Sequence, residues 1–446
     1  MKKYFYGFGG LSYSVISQTV SNFFMFFSTS VLGIKGTIVG IAIAISTIWD
    51  GISDTIVGYI SDNYRLGFLG KRNGYMLIAT IGMSIANIFL WCVPNDINVG
   101  FKFIWILLSL LILETFNTMF STPYMALGNE LSRNDNERTT IGAINTIFYL
   151  IGMIVPSVLL FIFLPSTTEY PVGQLNPNGY VKIAIVSSVI CLVCGLIASL
   201  TTIPKNKFDR VKNSKFKLSI GGLWNNFLTA FRDKRVSKII WGYVLVSIAT
   251  VILCSVGMHF FTYSFFYESN QITILLLTLL LGTIISQPLW VSLSKKSSKK
   301  PALLSGIIVT ILAVFAVIFI FLFRIELVDI SFYLMIVAIL FCGVGSGALY
   351  TLPTAMYGDA VMKIDRSGSL NATYSSTLTF AGNMASSIAQ LTIGILLDLI
   401  GFDGGKSVQS LFVQSGLAII IFVGIEFTLI WSCLIFSKHK EKISKI

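Results

Sequence analysis

Twelve long apolar runs, separated by short tracts that hold nearly all the charge, constrain this chain more than any other feature. They cover roughly residues 8–31, 38–60, 74–93, 103–127, 140–164, 179–202, 238–266, 271–293, 301–323, 330–355, 371–399 and 411–436. A helix needs about 20 apolar residues to cross about 30 Å of hydrocarbon, and every run is long enough. Only 12% of the 446 residues are charged, against about 25% in a soluble domain. Stretches such as IAIVSSVICLVCGLIASL lack the period-two alternation of a membrane barrel. The expected fold is therefore an all-α polytopic membrane protein with twelve transmembrane helices in two six-helix bundles. A cytosolic enzyme, a secreted disulfide scaffold and a disordered chain are excluded.

An even number of spans puts both ends on one side, and the basic residues choose the side. With the N-terminus inside, only Lys35, Lys102, Lys182, Arg324 and Lys406 fall outside, five of 32 basic residues. The positive-inside bias makes this the expected orientation, with both termini cytoplasmic in a cell membrane. The net charge of +12 thus reports topology, and no nucleic-acid partner is expected. The longest inside connection divides the chain into a bundle over residues 1–203, a cytoplasmic linker over 204–237, a bundle over 238–437 and a tail over 438–446. Within the linker, Gly221, Gly222 and Trp224 mark the start of a short interfacial helix around NNFLTAF. Lys2 and Lys3 precede a long aromatic run with no small-residue cleavage site, which reads as the first span and not a cleaved signal. Cys92, Cys191, Cys194, Cys254, Cys342 and Cys433 lie in or at the ends of apolar runs and read as small packing residues.

The sharpest chemical signal is STIWDGISDTIVGYISDN in span two. Asp50 and Asp54 are four apart and share one helix face. Two carboxylates at that depth are expensive unless paired, hydrated or sharing a cation or proton. Either they couple transport to Na+ or H+, or Asp50 faces a water-filled cavity and Asp54 belongs to an inside gate. Glu114 lies in the apolar run LLSLLILETFNTMF of span four, where an ionisable residue is a functional candidate or a helix–helix hydrogen bond. Pro123 and Pro353 are expected to kink or break their helices. Span eleven carries a polar stripe that includes Tyr374 and Asn383. His259 near the outer end of span seven reads either as a proton or substrate contact or, more simply, as part of an aromatic neighbourhood. Asp62, Lys71, Arg72, Glu130, Arg133, Arg138 and Asp359 sit at inside ends of spans, placed for gating ion pairs or as solvated surface charge. In span eight, PLWVSLSKKSSKK echoes the first half weakly and lacks acidic partners, so the halves look unequal. No Walker sequence, dinucleotide fingerprint or Ser-His-Asp set appears. Direct ATP use, an enzymatic role and a resident cofactor are not expected.

Four tracts together give a family resemblance: YGFGGLSYS with FFMFFSTSVLGI; IWDGISDTIVGYISD with GKR; FSTPYMALGNELSRNDNER with NTIFYLIG; and YGDAVMKIDRSG leading to LLDLIGF. Across essentially its whole length the chain resembles the major facilitator superfamily, and within it the glycoside-pentoside-hexuronide cation symporters. The resemblance implies that Asp50 and Asp54 bind the coupling cation. It also implies that Ser14, Ser121, Asn145 and Asn383 stand where sugar symporters carry charged residues, two aspartates, an arginine and a lysine. The expected solute contacts are Ser14, Gln18, Glu114, Asn117, Ser121, Tyr124, Asn145, Tyr374 and Asn383. The function expected is cation-coupled symport of a sugar, glycoside or related small organic solute by alternating access, by a monomer among membrane lipids. An uncoupled or lipid-like facilitator and a non-transporting sensor are the alternatives.

Overall fold

A computed structural model describes residues 2–64, 72–94, 97–131, 135–203, 231–233, 236–364 and 371–438. The expected linker helix around NNFLTAF lies outside the described residues. The chain is all-α, and clustering of its contacts gives two compact units, Met1–Leu218 with Asp403–Ser407, and Ser219–Phe402 with Val408–Ile446. Among the described residues, eleven helices are long and apolar enough to cross a membrane. One further helix, α1, is richer in Gly and Ser. Hydropathy marks the bilayer slab and helices run past it. The expected run 330–355 is thus a helix from Ser331 to Ile364.

The first unit holds α1 (Lys2–Phe26), α2 (Gly36–Asn63), α3 (Asn73–Trp91), α4 (Val99–Glu130), α5 (Asp135–Phe163) and α6 (Pro177–Thr201). Polar residues at the membrane edges start two of these helices. Asn98 accepts a hydrogen bond from Phe101 N, and Asn176 accepts from Asn178 N ahead of Pro177. α1 ends in a buried π-helical turn, Phe27–Val31, with Leu32 N bonded to Phe27 O. α1 packs on α5 and α6, α4 on α2 and α3, and α3 on α6. Lipid tails are as apolar as the side chains, so small residues and hydrogen bonds must hold such contacts, at about 0.6 kcal/mol per interhelical bond. The α3–α6 seam is built that way. Asn87 Nδ2 reaches Ala184 O at 3.1 Å and Ser188 Oγ at 2.9 Å, and its Oδ1 accepts from Trp91 Nε1 at 3.2 Å.

The second unit holds α7 (Ser237–Ser264), α8 (Ser269–Ile285), α9 (Gln287–Ser297), α10 (Lys299–Leu322), α11 (Ser331–Ile364), α12 (Asn371–Leu399) and α13 (Leu411–Ser437). α8 and α9 form one span broken at Ser286, where Pro288 in the first turn of α9 lacks an N–H. The pairings repeat those of the first unit: α7 with α12 and α13, α11 with α8 and α10, and α10 with α13. Gly343 lets α11 touch α8, because a Cβ there would strike Leu279 O. Pro353 was expected to break its helix and does not: α11 runs through it, as α4 runs through Pro123. Intramembrane proline is tolerated where hydroxyls and neighbouring helices serve the backbone it disrupts. Here Thr351 and Thr354, on either side of the proline, bond other carbonyls of the same helix, Gly347 O and Thr351 O, at 2.6 and 2.9 Å, while the carbonyl that loses its N–H donor is that of Leu349.

Candidate functional site

The i, i+4 spacing that pairs Asp50 with Asp54 also pairs Trp49 with Ser53, so α2 presents four polar groups along one strip. On α4, the segment TFNTMFSTPY places Thr115, Thr118 and Thr122 at steps of three and four, which is one helical face. The two strips meet rung by rung. Trp49 Nε1 donates to Thr115 Oγ1 at 2.8 Å. Thr118 Oγ1 donates to Asp50 Oδ1 at 2.9 Å, and Thr122 Oγ1 to Asp54 Oδ1 at 3.2 Å. Ser53 Oγ lies 3.0 Å from Thr118 Oγ1 and 3.0 Å from Asp50 O, and its one proton serves either. Ser53 and Thr118 are buried, while both aspartates are half-buried.

Glu114 stands one turn before Thr118 on the same helix. Asn117 Nδ2 donates to its Oε2 at 3.3 Å, and the charges of Asp50 and Asp54 both act on it. The α2–α4 seam therefore carries three acidic side chains and a row of hydroxyls, with oxygen as its ligand atom. That is the donor chemistry of a hard cation. Among the described residues no three Asp, Glu, His or Cys side chains converge on one point. A cation at the aspartates would therefore draw on the hydroxyls.

The threonines and Ser53 escaped sequence reading because hydroxyls are common in spans and usually bond their own backbone. The three-and-four spacing opposite an acid pair was the available signal.

Beside this seam lies an aromatic wall. Tyr6 of α1 stacks on Tyr124 of α4, with centroids 4.3 Å apart and rings 14° from parallel. Tyr6 Oη donates to Tyr124 O at 3.1 Å, and Tyr124 Oη lies 2.9 Å from Tyr6 O and 2.7 Å from Asn145 Oδ1. Gly9 permits the stack, since a Cβ there would enter the Tyr124 ring. Tyr13 lies 5.5 Å from Tyr149, 6.1 Å from Tyr124 and 6.3 Å from Phe120 between centroids. Tyr13, Phe120 and Tyr149 were not among the expected solute contacts.

The other expected contacts scatter more. Ser14 is buried and donates to Leu11 O of its own helix at 3.2 Å. Gln18 donates to Asn22 Oδ1 at 2.8 Å, also within α1. Ser121 is half-buried on α4. In the second unit Asn383 is half-buried on α12 and accepts from Ser387 Oγ through its backbone. The side chain of Tyr374 lies outside the described residues. A cleft of about 370 Å³ in this unit is lined by Tyr243, Thr354, Tyr357 and Thr379 among others. His259 is fully buried, its Nδ1 3.2 Å from Ser255 O and its ring edge-on to Phe402.

Of the expected gating residues, Arg72 and Glu130 meet. The Arg72 side chain, 8% exposed, reaches Glu130 Oε1 through Nη2 at 2.9 Å and Nε at 3.3 Å, and Ser61 Oγ through Nη1 at 3.2 Å. It ties the start of α3 to the ends of α2 and α4. In the second unit Lys299 Nζ contacts Asp359 Oδ2 at 2.6 Å, joining the start of α10 to the end of α11. The pairing α3–α4 thus recurs in α10–α11 with its ion pair, and the tract PLWVSLSKKSSKK, expected to lack acidic partners, finds one in Asp359. The missing acid comes from α11, far along the chain from PLWVSLSKKSSKK. Arg138 is exposed at the start of α5. Lys71, Arg133 and the side chain of Asp62 lie outside the described residues.

A family model described as "MFS/sugar transport protein" matches residues 5–439. An uncharacterised symporter of Synechocystis is 28% identical over 41% of this chain and 34% of its own length. The isoprimeverose transporter of Lactiplantibacillus pentosus is 24% identical over 70% of this chain and 62% of its own length. The sodium-dependent lysophosphatidylcholine symporter 1 of Gallus gallus is 22% identical over 80% of this chain and 70% of its own. The matches thus span 34% to 70% of these relatives' lengths. Among solved structures, the nucleoside transporter NupG superposes with a TM-score of 0.69 at 14% identity, over 98% of this chain and 100% of that one. The E. coli xylose transporter XylE gives 0.65 at 13%, over 99% of each. At these identities the structural likeness speaks for the fold.

Proposed function

The chain belongs to the MFS/sugar transport protein family and is a secondary transporter, not an enzyme, and from that premise we propose that it couples entry of a small organic solute to a cation held on the α2–α4 seam. The observation that carries this reading is the pair of hydroxyl–carboxylate rungs, Thr118 to Asp50 and Thr122 to Asp54. Asp50 and Asp54 supply charge, and Thr118, Thr122 and Ser53 supply neutral oxygen. A proton would need one carboxylate, whereas a row of hydroxyls beside two suits Na+. The sodium-dependent names of several vertebrate relatives support the same choice.

The solute contacts are Ser14, Gln18, Glu114, Asn117, Ser121, Tyr124, Asn145, Tyr374 and Asn383, joined by Tyr13, Phe120 and Tyr149. Neutral hydroxyls and amides beside aromatic faces suit a sugar, a glycoside or a similar amphipathic molecule. The bundles, with boundaries near residues 203 and 238, rock in alternating access as a monomer, and both termini are cytoplasmic. The Arg72–Glu130 and Lys299–Asp359 pairs hold one inward or outward state and release it in the other. Coupling arises because cation and solute each bind one state better. The second reading is a lipid-like solute, favoured by the lysophosphatidylcholine symporters among the relatives.

The test is uptake by purified protein in sealed proteoliposomes, with sugars, glycosides and lysophospholipids offered under sodium or proton gradients imposed separately. Accumulation under one gradient that is lost in Asp50→Asn and Asp54→Asn supports symport. Uptake indifferent to both gradients makes the chain a facilitator. Absence of uptake by folded, inserted protein points to a non-transporting role.

A further inference from the structure

α13 is an apolar span with a carboxyl in the middle of it, in the tract FVGIEFTLIW. Glu426 is 5% exposed, and neither carboxyl oxygen has a hydrogen-bond partner among the described residues. The other buried polar side chains of this helix all have one. Gln414 Nε2 donates to Gln409 O at 2.9 Å, Thr428 Oγ1 to Gly424 O at 2.8 Å, and Ser432 Oγ to Gly242 O at 3.1 Å. Buried polar groups in proteins are overwhelmingly paired, and an ionisable residue within a span is a functional site by default. A glutamate kept only for packing would be better served by leucine or glutamine.

The surroundings say what Glu426 can hold. α13 packs on α7, α10 and, more lightly, α12. Cys342 of α11, a buried thiol, lies within electrostatic reach of the carboxyl. α7 carries Lys238, Tyr243, Cys254, His259 and Tyr263, with the His259 ring held by Ser255 O and Phe402. α10 has no titratable residue between Lys300 and Arg324, and α12 has none between residue 377 and Asp398. Among the described residues, no arginine or lysine therefore meets this carboxyl at mid-span, and no second acid shares it. A metal cation needs several oxygen ligands, and this site offers one carboxyl. A charged, unpaired carboxylate there would be costly, whereas a proton neutralises it with no further ligand.

We propose that Glu426 is a proton-binding site of the second bundle, separate from the Asp50–Asp54 seam, protonated in the arrangement described and unloaded when α13 and its neighbours repack during transport. The timing rests on the transporter reading; the proton site itself does not.

The experiment uses the full chain in lipid membranes and needs no known solute. Difference infrared spectra across a pH series should show the C=O band of a protonated carboxyl that disappears at alkaline pH. The band should be lost in Glu426→Gln, which mimics the protonated side chain, and kept in Asp50→Asn. Dicyclohexylcarbodiimide, which attacks protonated buried carboxyls, should label Glu426 of the wild-type protein at acid pH and progressively less as pH rises, read by peptide mass spectrometry. This arm decides the matter even where the variant does not fold. A Glu426 that shows no titrating band and labels equally at every pH overturns the proposal. In flux assays, loss of pH dependence in Glu426→Gln would support coupling, and an unchanged pH profile would refute it. Failure to find any transported solute would count against symport while leaving the infrared result to stand.

Discussion

Replacing Thr118 by valine keeps the branched shape of a fully buried residue and removes one hydroxyl. That hydroxyl donates to Asp50 Oδ1 at 2.9 Å. Its two conceivable roles give opposite signs. If it only steadies Asp50, its loss strips the carboxylate of a charge-assisted hydrogen bond worth about 1.5–3 kcal/mol. The ion-free state is then the one destabilised, and sodium binds as well as before or better. If the oxygen turns to the cation, as proposed, the bound state loses a ligand as well. We expect a net weakening of about 1.4 kcal/mol, or about tenfold in the sodium Kd. Ser53 keeps Asp50 O as an acceptor at 3.0 Å, so the change leaves no new orphan there. Thr122→Val should weaken sodium less, since its bond to Asp54 is longer at 3.2 Å. Sodium titration followed by calorimetry measures the affinity. Trp49, adjacent to Asp50 and bonded to Thr115, offers a fluorescence readout of the same event. Equal or tighter sodium binding in folded Thr118→Val would refute the assignment of the hydroxyls as ligands.

Three further outcomes follow from the geometry. Arg72→Ala removes a nearly buried guanidinium that serves Glu130 and Ser61, and should cost about 3 kcal/mol in thermal unfolding; Glu130→Gln, with its side chain 49% exposed, should cost only about 1 kcal/mol. Lys299→Ala breaks a pair whose side chains are 32% and 44% exposed, so its stability cost should stay below about 1 kcal/mol and shrink further in high salt. Tyr124→Phe keeps the stack on Tyr6 and removes the hydroxyl that contacts Tyr6 O and Asn145 Oδ1, lowering stability by about 1 kcal/mol in denaturation of the purified protein.

The spans were legible because the bilayer demands one chemistry over a fixed length. Asp50 and Asp54 were legible because acid at that depth is rare. Thr115, Thr118 and Thr122 were not, because a hydroxyl in a membrane helix can bond its own backbone, as Thr19 does to Val15 O at 2.6 Å. Only the partner helix shows which hydroxyls do otherwise. Lys299 and Asp359 were both expected at inside ends of spans, but a contact across sixty residues of sequence has no local signature. Pro353 misled because the rule that proline breaks helices comes from water, where nothing holds the two halves in line. Glu426 was passed over in a run otherwise free of charge, although the reasoning that singled out Glu114 applies to it equally.

The π-helical turn at the end of α1 is, in helical arithmetic, one residue too many. Leu32 N reaches back five residues to Phe27 O instead of four. Everything before Phe27 is therefore turned by about 100° from where an unbroken helix ending at Val31 would put it. A homologue one residue shorter between 27 and 31 would close the turn into an ordinary α-helix and keep Ser14, Gln18 and the Tyr6 stack facing as they do, whereas a gap-free alignment through this turn would assign α1 residues to the wrong face. Deletions walked along residues 15–31 would locate the turn functionally: the position at which a lost residue does least harm to folding is the one where the helix already carries a spare.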